Sequence, residues 1–300
     1  MRRYSPGIVF TLAAALLSVG CAKKIAIQTR PAPGSVYAEK QAGLTPEETK
    51  FRDTNCFMGC PALSRSAGYG PTVTIYRGGY VLQHSAIDKI PVWVAERVTA
   101  EQVSGSVPRD DKFQPDPLLK RGARAELADY KRSGYDRGHQ APAGNQTKDA
   151  KLKAETFYLS NMCPQSPPLN QQAWRELEDL TRKWVQKAGM AYEITGPVFY
   201  DPKEDDTATA DGTVQYKTIG ANKVAVPTHF YKIVIAREGG QPWKAIAFVM
   251  ENRKYDRPFH FDQYIRSIDW IEKHTGLDFM PEMDLQEQRR IEGTASPMWN

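Results

Sequence analysis

The sequence predicts a chain of mixed α and β structure, and three observations carry that prediction. Short β-branched and aromatic runs fall into two groups, 72–96 and 192–250. Between them, one long segment repeats its apolar residues at helical spacing. Glycines and short polar turns separate the runs closely enough for neighbouring strands to pair antiparallel.

Taken in order, the chain opens with Arg2 and Arg3, an apolar run from Gly7 to Leu17, and the small-residue stretch Leu16-Leu17-Ser18-Val19-Gly20-Cys21. The apolar run is short for a bilayer span and reads as a signal peptide over residues 1–20. It resembles a bacterial lipoprotein signal, with Cys21 as the lipidated residue and the membrane as a partner through that anchor. The bland alternative is ordinary secretion with an incidental cysteine. Either way the expectation is a bacterial protein exported to the periplasm or, as a lipoprotein, to the outer membrane. Residues 21–50 lack periodicity and read as a flexible tether behind the lipidated cysteine.

A folded domain is expected over 51–284. In an oxidising compartment, Cys56-Phe57-Met58-Gly59-Cys60 is a tight loop whose natural pairing is a local disulfide, Cys56 with Cys60. A zinc site there lacks a second Cys/His pair. Cys163 is left over and reads as a small buried residue. Strands follow at 72–76, 80–84 and 91–96. Residues 101–134 are polar and read as loop with one helical turn, 149–154 as a short helix, and 157–161 as a strand. After Pro167-Pro168 comes the clearest helix, with Leu169, Ala173, Leu177, Leu180 and Trp184 on one face and Gly189 as terminator. Strands at 192–195, 223–226, 229–235 and 244–250 come next, with an acidic stretch at 201–211 read as a mobile surface loop. A last helix is expected over 263–273, and residues 285–300 read as a frayed, charged tail.

Composition bounds the rest. Three hundred residues at 41% hydrophobic content suffice for one sizeable core. The formal charge is +5, and +3 once Arg2 and Arg3 are set aside. That suits an anionic partner without requiring one. There is no His-Glu-x-x-His for a zinc protease and no Gly-x-Ser-x-Gly for a serine hydrolase.

The chemistry concentrates in Asp136-Arg137-Gly138-His139 and in Leu169-Asn170 through Glu178. A histidine is well suited to take a proton from water near neutral pH. An asparagine amide oxygen is a suitable if weak ligand for a hard cation such as Mg²⁺, which keeps most of its waters. Arginine clamps phosphate oxygens. A phosphodiester needs all three services. Each residue alone has a bland reading: His139 structural, Asn170 a helix cap, Glu178 a solvated charge, Arg137 the partner of Asp136.

The ordered set Asp136-Arg137-Gly138-His139-Gln140-Ala141-Pro142, Tyr158-Leu159-Ser160-Asn161-Met162-Cys163-Pro164-Gln165 and Leu169-Asn170-Gln171-Gln172-Ala173-Trp174 closely resembles the sugar-non-specific DNA/RNA endonuclease family. Asn55 to Pro61, Thr195-Gly196-Pro197 and Ile271 to Leu277 match other family stretches. The resemblance implies an α+β, ββα-metal (His-Me finger) fold with antiparallel sheet flanked by helices. It puts His139 on the general base and Asn170 on the Mg²⁺ ligand, with Mn²⁺ as a substitute ion. Glu178 falls on the acid that orients metal-bound water, Arg137 on the arginine near the scissile phosphate, and Asn161 on a supporting asparagine. Arg109 is the best match to an arginine that stabilises the transition state. DNA and RNA are then the substrates, held through the phosphate backbone, with cleavage leaving 5′-phosphate ends and a homodimer as a candidate assembly. The competing expectation is a surface lipoprotein that binds nucleic acid without cutting it.

Overall fold

The computed structural model describes residues 25–31, 43–63 and 68–299. The signal-peptide segment and the expected lipidation at Cys21 lie outside the described residues. The elements in chain order are β1 (Ile25–Pro31), α1 (Pro46–Asn55), β2 (Ala62–Leu63), β3 (Thr72–Tyr76), β4 (Val81–Ser85) and β5 (Pro91–Thr99). Two single turns, α2 (Ala100–Val103) and α3 (Leu127–Tyr130), precede β6 (Asp136–His139), α4 (Ala150–Glu155) and β7 (Met162–Gln165). A π-helical turn, Leu169–Trp174, opens into α5 (Arg175–Ala188), and β8 (Met190–Val198), β9 (Thr213–Ile219), β10 (Val224–Val226), β11 (His229–Ala236) and β12 (Lys244–Glu251) follow. The chain ends in β13 (Ile265–Arg266), α6 (Ile268–Thr275), β14 (Leu277–Asp278) and α7 (Leu285–Glu292).

Seven strands form one antiparallel sheet in the order β13-β12-β11-β8-β5-β4-β3. Its central strands are apolar at both parities, so both faces need cover. In β11, Phe230 and Val234 face one core with Leu177, Trp184 and Val185 of α5. Tyr231, Ile233 and Ile235 face the other, with Phe51 of α1, Ile271 of α6 and Ile291 of α7. The α5 seam is Leu177, Thr181, Trp184 and Val185, one side of a helix. Gly189, at φ +83°, ends it.

Several expectations shift. The folded region begins before residue 51, because Thr45 caps α1 reciprocally with Glu48 and Pro46 takes the first turn. Within the expected tether, β1 pairs with β9 from Ile25 opposite Ile219 to Pro31 opposite Thr213. Residues 157–161 form no strand: a 3₁₀ turn over Leu159–Asn161 leads into β7. The acidic 201–211 stretch is tied down, since Asp205 receives Lys273 Nζ at 2.5 Å and Tyr200 Oη at 2.8 Å. Lys203 pairs with Asp211 at 3.0 Å. The expected helix over 263–273 begins only at Ile268, capped by Ser267. The expected frayed tail contains α7, capped by Asp284, and Met298 and Trp299 pack against the core. The Cys56–Cys60 disulfide is present, with Cα atoms 4.6 Å apart. Cys163 is fully buried, and burial pushes its thiol well up, which leaves it unreactive. Among the described residues no helix is long and apolar enough to cross a membrane.

Candidate active site

The site grows from the two-stranded β6–β7 ribbon, tied to the π turn before α5 through Asn170 and Asp136. Strands β6 and β7 pair Asp136 with Gln165 through His139 with Met162. Gly138 is required by close approach: a Cβ there would run into the side chain of Gln165. Replacing Gly138 by alanine should therefore misplace His139 and lower both thermal stability and activity. Its Tm, read by calorimetry, is expected several degrees below wild type, in line with about 1–3 kcal/mol for overpacking.

The turn into α5 is equally constrained. Asn252 Oδ1 accepts from Ser166 N at 2.7 Å, and its Nδ2 donates to the carbonyls of Pro164 and Pro227, each at 3.0 Å. The following residues widen into a π turn, a feature frequent at functional sites. Asn170 sits inside that turn, not at its cap. Its Nδ2 donates to Asp136 Oδ2 at 2.9 Å, beside Gln171 Nε2 at 2.8 Å. With the amide nitrogen so engaged, the amide oxygen is the group left to serve as a ligand.

A cavity of about 420 Å³ opens here, and Arg109, Lys131, Asp136, Arg137 and Asn170 line it with Phe113, Tyr130 and Tyr135. Three of these side chains are cations against one carboxylate, so the cleft attracts anions. Arg109 and Arg137 lie 28 residues apart in sequence and are brought together by two phenylalanines. Arg137 Cζ stands 4.0 Å over the Phe113 ring and Arg109 Cζ 5.4 Å over Phe157. The His139 ring packs against the same pair, at 5.6 and 5.0 Å between centroids.

His139 is 9% exposed, and its Nε2 is buried without a hydrogen-bond partner. Burial first, then Arg109 and Arg137, push its pKa down to about 3. The imidazole is therefore neutral at neutral pH, with a ring nitrogen free to accept a proton or donate to a ligand, as its tautomer dictates.

Three of the expected site residues are absent from the lining of this cavity: His139, which packs behind it against Phe113, and Asn161 and Glu178. Asn161 is fully buried and its side chain is spent on the backbone: Oδ1 accepts from Ala141 N at 2.9 Å, and Nδ2 donates to Ala141 O and Thr156 O, both at 2.9 Å. It clamps the segment after His139. Glu178 is half-buried on α5, and burial pushes its carboxyl up to about 7 against the pull of Lys232 and Arg182. It feels the charges of a polar network built from β5, β8, β11 and α5. There Lys232 Nζ donates to Glu193 Oε2 at 3.1 Å and to Thr195 Oγ1 at 2.8 Å, and Asn145 Nδ2 donates to Glu96 Oε1 at 2.9 Å. Arg182 Nη1 reaches Asn145 Oδ1 at 3.2 Å, which joins the network to α5.

Apart from Glu178, the sequence does not single out the charged members of this network, nor Asn145, Phe113, Phe157 or Asn252. A signal existed for part of it. Glu96, Glu193 and Lys232 are lone charges inside apolar strands, and such charges need partners.

The chain matches the family described as DNA/RNA non-specific endonuclease over residues 64–286. It is 37% identical over 208 residues to human mitochondrial Endonuclease G, covering 69% of each protein. It is 36% identical over 213 residues to Nuclease C1 of Cunninghamella echinulata var. echinulata, covering 70% of this chain and 83% of that one. Among solved structures, a chain of the EndoG/EndoGI complex superposes with a TM-score of 0.70 at 32% identity, over 82% of this chain and 96% of the other. That likeness, with the antiparallel sheet, the β6–β7 ribbon and α5, makes the fold α+β and ββα-metal. One expectation is overturned by these relatives. Human Endonuclease G and the Nuclease 1 of Schizosaccharomyces pombe are mitochondrial nucleases, which corrects the bacterial periplasmic or outer-membrane lipoprotein address. The chain belongs to the DNA/RNA non-specific endonuclease family, enzymes that hydrolyse phosphodiester bonds.

Proposed function

We propose that this chain is a Mg²⁺-dependent endonuclease that cuts both DNA and RNA with little regard to sequence and leaves 5′-phosphate ends. The observation that carries the reading is the buried neutral imidazole of His139, its Nε2 unpartnered, beside a cavity lined by Arg109, Lys131 and Arg137. His139 Nε2 takes a proton from water as the water oxygen bonds to phosphorus. The bond from phosphorus to the 3′ oxygen breaks, so the phosphate stays on the 5′ side. That oxygen takes a proton from a solvent water, and His139 returns its own proton to the hydroxide left behind. Arg137 and Arg109 grip the non-bridging oxygens, and Phe113 and Phe157 hold those cations and the imidazole in one arrangement.

The donor set fits a hard cation that keeps several waters: one amide oxygen of Asn170, with Asp136 alongside. When bound, Mg²⁺, or Mn²⁺ in its place, supplies charge neutralisation at the phosphate and relief of charge on the leaving oxygen. Glu178 orients water in this reading, its charge supported by Lys232 and Arg182. Reading phosphate and not base edges leaves no need for a sequence-reading module, and binding should weaken as salt rises.

The test is digestion of supercoiled plasmid and of a single-stranded RNA, with MgCl₂ or with EDTA. Loss of both substrates in Mg²⁺, none in EDTA, and 5′-phosphate ends on the products are the expected results. Binding of DNA by a folded chain that cuts neither substrate in Mg²⁺ or Mn²⁺ would refute the proposal.

A further inference from the structure

On the face of the sheet away from α5, three carboxylates from the last two helices converge. Asp269 and Glu272 lie three residues apart on α6, one helical turn, and Glu292 closes α7. One oxygen from each lies within 4.8 Å of the other two. Glu292 is the unusual member: it is only 4% exposed, and its Oε1 has no hydrogen-bond partner. Glu272 Oε1 already accepts from Phe279 N at 2.7 Å, which fixes its carboxylate at the α6–β14 corner. The charges that act most strongly on Glu292 are Glu272, Asp269 and Asp278, all acidic. Of the cations nearest in sequence, Lys273 is engaged by Asp205 and Arg290 by Glu287 and Trp243 O. Among the described residues no ion pair joins Arg289, one turn before Glu292, to the three carboxylates. A buried carboxylate among other carboxylates is costly unless a cation joins it or a proton stays on it. Burial with the neighbouring carboxylates pushes Glu292 up to about 9, so without a cation it holds its proton.

We propose that Asp269, Glu272 and Glu292 form a binding site for a hard divalent cation, Ca²⁺ in the first place, that fastens α7 to α6. All three donors are carboxylate oxygens, the ligands such cations prefer. Bonds of about 2.3–2.6 Å let three oxygens on one Ca²⁺ stand up to about 4.5 Å from one another. The three groups, each within 4.8 Å of the others, therefore reach one ion with at most a few tenths of an ångström of side-chain movement. Mg²⁺, with bonds of about 2.0–2.1 Å, holds its ligands no more than about 4.2 Å apart and demands a stricter octahedron. The site is separate from the cleft at Asn170. It works on stability: α7 brings Ile291 into the core, and the chain beyond it brings Met298 and Trp299.

The test uses the full chain, with CaCl₂ or MgCl₂ added alone, read by thermal unfolding and by titration calorimetry. Wild type should gain about 5 °C in Tm at Ca²⁺ a hundredfold above its dissociation constant. Calorimetry should count one more Ca²⁺ on wild type than on Glu292→Gln. That variant keeps the shape of the protonated carboxyl and loses only its ability to ionise onto a cation. Without cation it should therefore melt no lower than wild type, and its Mg²⁺-dependent cutting should be unchanged. Asp269→Asn is a second variant, at an exposed position, that should also lose the response. A Ca²⁺ response that persists in both variants would overturn the proposal, as would no response in wild type. So would a response abolished by Asn170→Ala and kept in Glu292→Gln, because the ion would then sit in the cleft.

Discussion

Replacing His139 by alanine should lower kcat by roughly 10²–10⁴-fold, the ordinary contribution of a general base, with the fold retained. The side chain is buried against Phe113 and Phe157, so some loss of Tm is expected too. Circular dichroism and a melting curve separate that loss from the loss of turnover. A folded variant that cuts within tenfold of wild type would remove His139 from the role of base. The wild-type enzyme carries a second, linked expectation. Burial and the two arginines hold the His139 pKa near 3, below the ordinary value of about 6.5. A depressed pKa keeps the imidazole in its proton-accepting form until the pH falls toward 3. The pH profile of kcat/KM, which reports the free enzyme, should therefore show no acid limb near 6.5 from this group. A bound cation pushes the same way, since positive charge opposes protonation. An acid limb near 6.5 in wild type that moves to higher pH in a folded Arg137→Ala variant would belong to His139 itself and would contradict the depressed value.

Replacing Lys232 by methionine should destabilise the protein by about 3–5 kcal/mol, the range for removing one partner of a buried ion pair. Lys232 is fully buried on the α5 side of β11. Its ammonium is the cation for Glu193, which itself stands beside Glu96. Burial and Glu193 already push Glu96 well above the usual carboxylate range. Without the lysine, two buried carboxylates face each other with only Asn145 between them and Arg182. At about 2–4 °C per kcal/mol for a chain of this size, Tm should fall by about 10 °C. Glu193→Gln on the Lys232→Met background should recover part of the loss, because neither charge is then stranded. A double variant as unstable as the sum of the two singles would show that the pair is not coupled. The effect should also reach activity, since Asn145 follows the His139 segment and Arg182 and Glu178 sit on the same helix.

Much of the secondary structure was readable because its periodicity is strong. The strand at 72–76 is found at Thr72–Tyr76, and the strand at 229–235 at His229–Ala236. The helix after Pro167-Pro168 follows from its apolar face, although its first turn is π and not α. What failed to register had weak local signals. Asp136–His139 is too polar and too short to read as a strand, and it becomes one because β7 lies beside it. Helix α7 is polar around most of its circumference, and Ile291 alone marks the side that packs.

The sequence by itself determined the strong helix, the main strands, the Cys56–Cys60 loop and the Asp136–His139 and Asn170 stretches. Each is written in a local pattern of residue types that one or two turns of chain suffice to express. Only the tertiary structure decided how those stretches meet. Arg109 and Arg137 stand over Phe157 and Phe113 around one imidazole, and Asn161 spends its side chain on the backbone after His139. Lys232 finds Glu193 across two strands. A charge inside an apolar strand announces that it needs a partner, but which partner depends on strand order and register, and those are settled by packing over the whole sheet.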